Sequence, residues 1–214
     1  MQKGAYKWKF CSGLACRAAI FTAIFAMASF NCYAQKLSGG TLNFLKGQEK
    51  VHVVLDFDNA KLQGKPYKDY LALEDEQWIE GWEQAKSAEF IESLLENLNN
   101  QVSGVIFGNY PDAQYRATVN VLTFRRQFRS GVVRGGFGQH LEGAGVRLIT
   151  CEVVFTGTGN STPLVKITGL KGDSTISRWI PEEIGQAGSN TYLGGIAFGD
   201  AGKRLGKFIA KKTK

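Results

Sequence analysis

The stretch Val146–Thr156, VRLITCEVVFT, sets Arg147, Ile149, Cys151, Val153 and Phe155 on one side and Leu148, Thr150, Glu152 and Val154 on the other. A period of two over that length reads as a strand with one face toward a core. Its neighbours read the same way. Tyr115–Phe124 and Leu164–Leu170 are strands, Val105–Phe107 is a shorter one, and glycine-rich turns separate them. No helical period interrupts Ser103–Ser174, and consecutive strands without a helix between them pair antiparallel.

Further out the period changes. Val51–Asp58 (VHVVLDFD) alternates again, with Val51, Val53, Leu55 and Phe57 on its apolar face. Glu74, Asp75 and Glu76 then open a helical pattern that runs to Asn100, with room for an interruption near Ser87. Trp78, Trp82, Ala85, Ile91, Leu94, Leu95, Leu98 and Val102 form its apolar stripe, and core packing is the expected role of both tryptophans. Leu193, Ala197, Ala201, Leu205, Phe208 and Ile209 mark a terminal helix. Strand, helix, several strands, helix predicts an α+β domain. The expected form is a two-layer sandwich with a mostly antiparallel sheet of about five strands and two main helices on one face.

The N-terminus reads as a signal peptide. Lys3, Lys7, Lys9 and Arg17 precede Ala18–Phe30, a charge-free apolar run of 13 residues. A membrane span needs about 20, so the run fits a signal segment instead. Small residues at Cys32 and Ala34 place the cut before Gln35, although lipidation of Cys32 is a second form of export. The expected organisation is a signal peptide over 1–34, a flexible lead-in over 35–50 and a single domain over 51–214. No transmembrane span is expected in the mature chain.

Composition excludes several classes. The chain has 214 residues, 43% of them hydrophobic and 21% charged, which rules out wholesale disorder. Its net charge of +7 is misleading, because the leader holds four of the 26 basic residues and none of the 19 acidic ones. Six more sit between Lys203 and Lys214, so the body of the domain is slightly acidic and no nucleic-acid partner is expected. Cys151 is the one cysteine after the cut, which leaves no internal disulfide and no thiol zinc site. On an apolar strand face it reads as a buried small hydrophobe.

One segment imitates catalysis. Val53–Asn59 (VVLDFDN) resembles the first motif of haloacid-dehalogenase-like phosphatases, where two aspartates serve as phosphoryl nucleophile and acid/base beside magnesium. Thr156, Lys166 or Lys171, and Asp200 follow in the order of the remaining motifs. Against this, Ala60 stands where threonine or valine belongs, and no second acid follows Asp200. That fold also needs crossover helices absent from Ser103–Ser174. Phosphatase is therefore the alternative, and no catalytic residue, cofactor or metal site is expected. His52 and His140 lie too far apart for a local metal box, and Gly135–Gly138 lacks the lysine of a phosphate loop.

The most suggestive surface cluster interleaves Arg125, Arg126, Arg129 and Arg134 with Phe124, Phe128 and Phe137. Arginines and aromatic rings together hold anionic polymers by ion pairing and stacking.

Several phrases resemble a family of small exported proteins of Bacteroidota whose function is uncharacterised. They are Val54–Lys61 with Gly64-Lys65, the acidic tryptophan helix, Gly169–Asp173 and Ala201–Ile209. The resemblance implies a periplasmic or outer-membrane-associated protein and supplies no catalytic residues. The expected function is non-catalytic binding, to an envelope protein, an anionic glycan or a membrane surface. The basic terminal helix can rest on such a surface, although burying its apolar side on the sheet is the more common use of such a helix.

Overall fold

The computed structural model describes residues 35–127, 146–174 and 185–214. The predicted leader lies outside the described residues. The elements are β1 (Lys36–Ser38), a 3-10 turn (Leu42–Leu45), β2 (Lys50–Asp56), β3 (Lys61–Leu62), β4 (Lys65–Pro66) and α1 (Tyr67–Leu71). After them come α2 (Glu76–Ala85), α3 (Ile91–Asn99), β5 (Ile106–Gly108), β6 (Tyr115–Gln127), β7 (Val146–Gly157), β8 (Pro163–Asp173) and α4 (Gly185–Lys212). The class is α+β.

The sheet corrects the expectation of about five mostly antiparallel strands: it has eight and is mixed, in the order β1-β8-β7-β6-β2-β5. The short β3 lies beside β6, and β4 pairs with β3. Strands β6, β7 and β8 form an antiparallel meander, but β2 runs parallel to both β5 and β6. The cause is connectivity. The helices α2 and α3 carry the chain from β2 to β5, and a crossover of that kind returns it in the same direction. His52 then pairs with Gly108 on one flank of β2 and with Arg116 on the other. Between them the Tyr110 N–H donates to His52 Nδ1 at 3.1 Å. His52 therefore anchors the loop that passes across β2.

Residues 35–50 also differ from the flexible lead-in expected of them. β1 pairs antiparallel with β8, and Leu42 and Leu45 are buried. Three residues of strand and one turn are too short to show a period, so their polar composition misled.

Residues 76–99 hold one face toward the core through an irregular step. Asp75 caps α2 by accepting from the Trp78 N–H at 2.8 Å. Trp82, Ala85, Phe90, Leu94 and Leu98 are buried, so one step in the stripe is five residues rather than three or four. A π-turn over Lys86–Phe90 absorbs the surplus residue and keeps the stripe in phase. Rings of Phe57, Trp82, Phe90, Phe124 and Phe198 then form one aromatic cluster, with Phe90 stacked on Phe198 at 4.9 Å.

Helix α4 packs against α3 and against β7 and β8. Two glycines permit that approach. A Cβ on Gly202 would lie 2.1 Å from the Leu94 carbonyl oxygen, and one on Gly172 would lie 1.9 Å from that of Ala197. At the β5 margin the Asn99 side chain takes the place of a neighbouring strand. Its Nδ2 donates to the Phe107 carbonyl at 2.8 Å, and its Oδ1 accepts from the Phe107 N–H at 2.9 Å.

Candidate functional site

Of the arginine–aromatic cluster, Arg125 and Arg126 fall within β6, whereas Phe128, Arg129, Arg134 and Phe137 lie outside the described residues. Arg125 is exposed. Phe124 is corrected from surface to core: it is 4% exposed, with Trp82 edge-on to its ring at 5.1 Å. Strand alternation explains it, since Phe124 and Arg125 point to opposite faces. The ladder sets Arg126 directly opposite Arg147, and Arg147 is 2% exposed.

At this end of the sheet the fold assembles a cleft of about 80 Å³. Trp78, Trp82 and Tyr70 supply its aromatic lining, and Gln63 and Arg147 its polar groups. The indoles of Trp78 and Trp82 lie parallel, 5.5 Å apart, with Tyr70 at 5.8 Å from Trp78. Trp82 is buried as expected, but Trp78 is half-buried and faces the cleft. Gln63 occupies the left-handed region at φ 52°, followed by Gly64 at φ 90°. Two positive φ values in succession make the tight turn between β3 and β4, in which glutamine is a strained choice for the first. The Gln63 N–H donates to the Phe124 carbonyl at 3.0 Å and fixes the turn at the cleft's edge.

Behind the tryptophans a polar knot holds α2 in place. Tyr67 Oη donates to Glu83 Oε1 at 2.5 Å and accepts from Trp82 Nε1 at 3.2 Å and Lys86 Nζ at 3.1 Å. Lys86 also pairs with Glu83 at 2.5 Å. Burial pushes the Glu83 carboxyl up, but hydrogen bonds from Lys86 and Tyr67 outweigh it and leave the group below its ordinary value. Burial likewise lowers Lys86, yet its bonds to Glu83 and Tyr67 raise it overall. For Tyr67, burial and the bond to Glu83 raise the phenol. A lowered carboxyl stabilises the fold above its unfolded pKa, and that contribution is lost as pH falls through the folded value. Glu83→Gln is therefore expected to lower the urea midpoint at pH 7, with the deficit shrinking as pH falls from the ordinary carboxylate range through the lower folded value. A deficit that persists unchanged in acid would contradict this.

The residues of the phosphatase alternative are scattered. Asp56 ends β2, and its Oδ1 accepts from the Asp58 N–H at 2.8 Å, an aspartate turn. Asp56 is level with Asn120 and Glu152, whereas Thr156 is level with Arg116 and His52 at the opposite end of β2. Lys166 pairs with Glu152 at 2.7 Å. Asp200 pairs with Arg204 at 2.8 Å and accepts from the Asp173 N–H at 3.1 Å. Among the described residues no group of three or more potential ligands could hold a metal ion, and no helix is long and apolar enough to cross a membrane.

Cys151 is buried, and desolvation pushes its thiol up to about 12. A thiol rather than a thiolate reacts slowly with alkylating agents. Peptide mapping is expected to find Cys151 unmodified in native protein and fully modified in denaturant; native labelling within minutes would show that β7 is not packed as described.

Residues of the cleft come from β3–β4, α1, α2, β6 and β7, and sequence reading picked out only part of it. Arg147 was placed on the apolar face of its strand without a role, though a lone arginine among Ile149, Cys151, Val153 and Phe155 is itself a signal. Gln63 and Tyr70 showed no signal.

No family model and no curated protein matches the chain. Among solved structures it is similar to a PelC dodecamer from Paraburkholderia phytofirmans, with TM-score 0.38 and 13% identity over 81% of this chain and 97% of that one. A second PelC dodecamer from the same organism, a point variant, has TM-score 0.32 and 12% identity over 78% of this chain and 98% of that one.

Proposed function

We propose that residues 1–34 are removed on export and that the remaining chain is a non-catalytic binding protein of the cell envelope. It acts in the periplasm or at the outer membrane and holds an anionic polymer or surface at the arginine-bearing end of its sheet. In this reading the domain has two layers, with the helices on one face of the sheet.

The observation that carries the proposal is the exposed Arg125 near the end of β6, on the sheet face opposite that of the buried Phe124. Arg129 and Arg134 follow in sequence and extend the basic run. The terminal helix contributes through its exposed basic side. Leu205 and Ile209, the apolar side that would rest on a membrane, are buried, while Lys203, Lys207, Lys211 and Lys212 are exposed. It offers charge, not insertion. Each basic residue near an anionic surface contributes about 1 kcal/mol, so attachment of this kind is reversible and weakened by salt.

The test is retention of the protein on an anionic polysaccharide matrix and flotation with anionic vesicles, each at low and high salt. Binding is expected at low salt, falling about tenfold or more in Arg125→Ser/Arg126→Ser. Failure to bind either at low salt would overturn the reading. Export is checked separately by N-terminal sequencing from an envelope fraction, which is expected to begin at Gln35. Incubation with magnesium and p-nitrophenyl phosphate is expected to show no hydrolysis that Asp56→Asn abolishes; a rate dependent on Asp56 would restore the phosphatase.

A further inference from the structure

We infer that His52 is a pH-sensitive latch on the loop Asn109–Gln114, which it holds closed while its imidazole is neutral and releases when the ring takes up a proton. The loop joins β5 to the start of β6, whereas Arg125 lies near the other end of β6, so the latch stands independently of the proposed binding role.

The loop is a preformed unit. Tyr110-Pro111-Asp112-Ala113 is a turn with proline at its second position, closed by the Ala113 N–H donating to the Tyr110 carbonyl at 2.9 Å. A turn of this kind moves as one piece about its ends. One end is tied by β7–β8 backbone: the Thr158 N–H donates to the Gln114 carbonyl at 2.9 Å, and the Thr158 hydroxyl donates to that of Ala113. The other end is tied by side chains of β2. The Tyr110 N–H donates to His52 Nδ1 at 3.1 Å, and Lys50 pairs with Asp112. The Tyr110 ring lies against Gly108, where a Cβ would come within 2.8 Å of it, and Lys50 Nζ stands 5.9 Å from the ring centroid.

An imidazole nitrogen accepts a hydrogen bond only while it carries no proton, and in the charged ring both nitrogens donate. Closing the loop and protonating Nδ1 therefore compete for one lone pair, and acid favours the open loop. The surroundings act in the same direction. Arg116 on β6 and Gly108 on β5 are level with His52, and Lys50 is two residues before it on the same strand face. Asp56 is four residues further along β2, and Asp112 and the Tyr110 phenol belong to the loop itself. The hydrogen bond from Lys50 holds the Asp112 carboxyl below its ordinary value, so it stays ionised where histidine titrates. A charged His52 thus meets two cations and a carboxylate already engaged by one of them. Histidine is the side chain that changes charge between pH 5 and 8, and the experiment spans that range.

Amide hydrogen exchange of the purified protein is followed by nuclear magnetic resonance at pH 7.5 and pH 5.5, with rates corrected for the intrinsic effect of pH. Protection of the Tyr110 amide is expected to fall about tenfold or more in acid, while the β7 amides of Cys151 and Val153 keep theirs. His52→Asn supplies an acceptor oxygen that takes up no proton, so its Tyr110 protection is expected to be equal at the two pH values. Asp112→Asn is expected to keep the wild-type pH response. Equal Tyr110 protection at both pH values in the wild type, the same loss in His52→Asn, or a response abolished by Asp112→Asn overturns the inference. Should His52→Asn fail to fold, the wild type decides alone. The His52 ring resonance, told from that of His140 by a His140→Gln variant, is expected to titrate with the midpoint of Tyr110 protection. Midpoints about one pH unit or more apart overturn the latch.

Discussion

Gly202→Ala is expected to lower stability by about 3 kcal/mol or more, although the change adds one methyl group. The new carbon would lie 2.1 Å from the Leu94 carbonyl oxygen and 2.9 Å from its carbon, both main-chain atoms of α3. A clashing side chain turns aside; a helix backbone has to move as a whole. Relief therefore means separating α4 from α3, and with it the packing of Leu205 and Phe198, both buried. For a domain of this size the melting temperature is expected to fall by roughly 10 °C. Gly195→Ala is the control, because among the described residues no heavy atom outside its own helix backbone lies within 4 Å of its Cβ position. It should hold or raise the melting temperature, since alanine favours a helix over glycine by about 1 kcal/mol. Equal melting temperatures for the two variants would mean that α3 and α4 are not in the contact described.

Trp82→Ala is expected to cost about 4 kcal/mol, within the usual range for deleting a buried aromatic ring. Trp82 is 2% exposed and stands edge-on to Phe57, Phe90 and Phe124 at centroid distances of 5.9, 5.3 and 5.1 Å. Its removal leaves a cavity among rings already held from several elements, so collapse around it is limited. The indole also donates to Tyr67 Oη, and its loss takes one bond from the knot that fixes the α2 end. Trp82→Phe keeps a ring and gives up that bond, so about half the loss is expected. Urea denaturation of the three proteins distinguishes these outcomes; a loss below about 1 kcal/mol for alanine would contradict the packing.

The parts of the fold that were legible in sequence are those in which one element repeats a local rule. Val146–Thr156 shows β7 because buried and half-buried residues alternate from Arg147 to Thr156, and Ile149, Cys151, Val153 and Phe155 are all buried. The tryptophan helix was legible for the same reason, and the five-residue step from Ala85 to Phe90 is why its pattern weakened near Ser87. Strand direction was not legible locally. The parallel pairing of β2 with β5 follows from the helices between them, and the pairing with β6 from the loop anchored at His52. The cleft was harder still, because Gln63, Tyr70, Trp78 and Arg147 become neighbours only when four segments distant in sequence meet. Phe124 was misread for a simpler reason: adjacent arginines suggest a surface, yet in a strand adjacency means opposite faces.

The Asn99 amide has a consequence for what the molecule can do in company. It holds both the N–H and the carbonyl of Phe107, so a strand arriving from another chain finds those ladder groups occupied. Open-ended fibre growth by edge pairing needs two margins that accept strands, one to add and one to be added to. Closing either is sufficient to stop it. A single side chain, two bonds deep in a three-residue strand, thus sets a limit on disordered polymerisation at high local concentration. Asn99→Ala would be expected to show that limit first as concentration-dependent turbidity rather than as loss of binding.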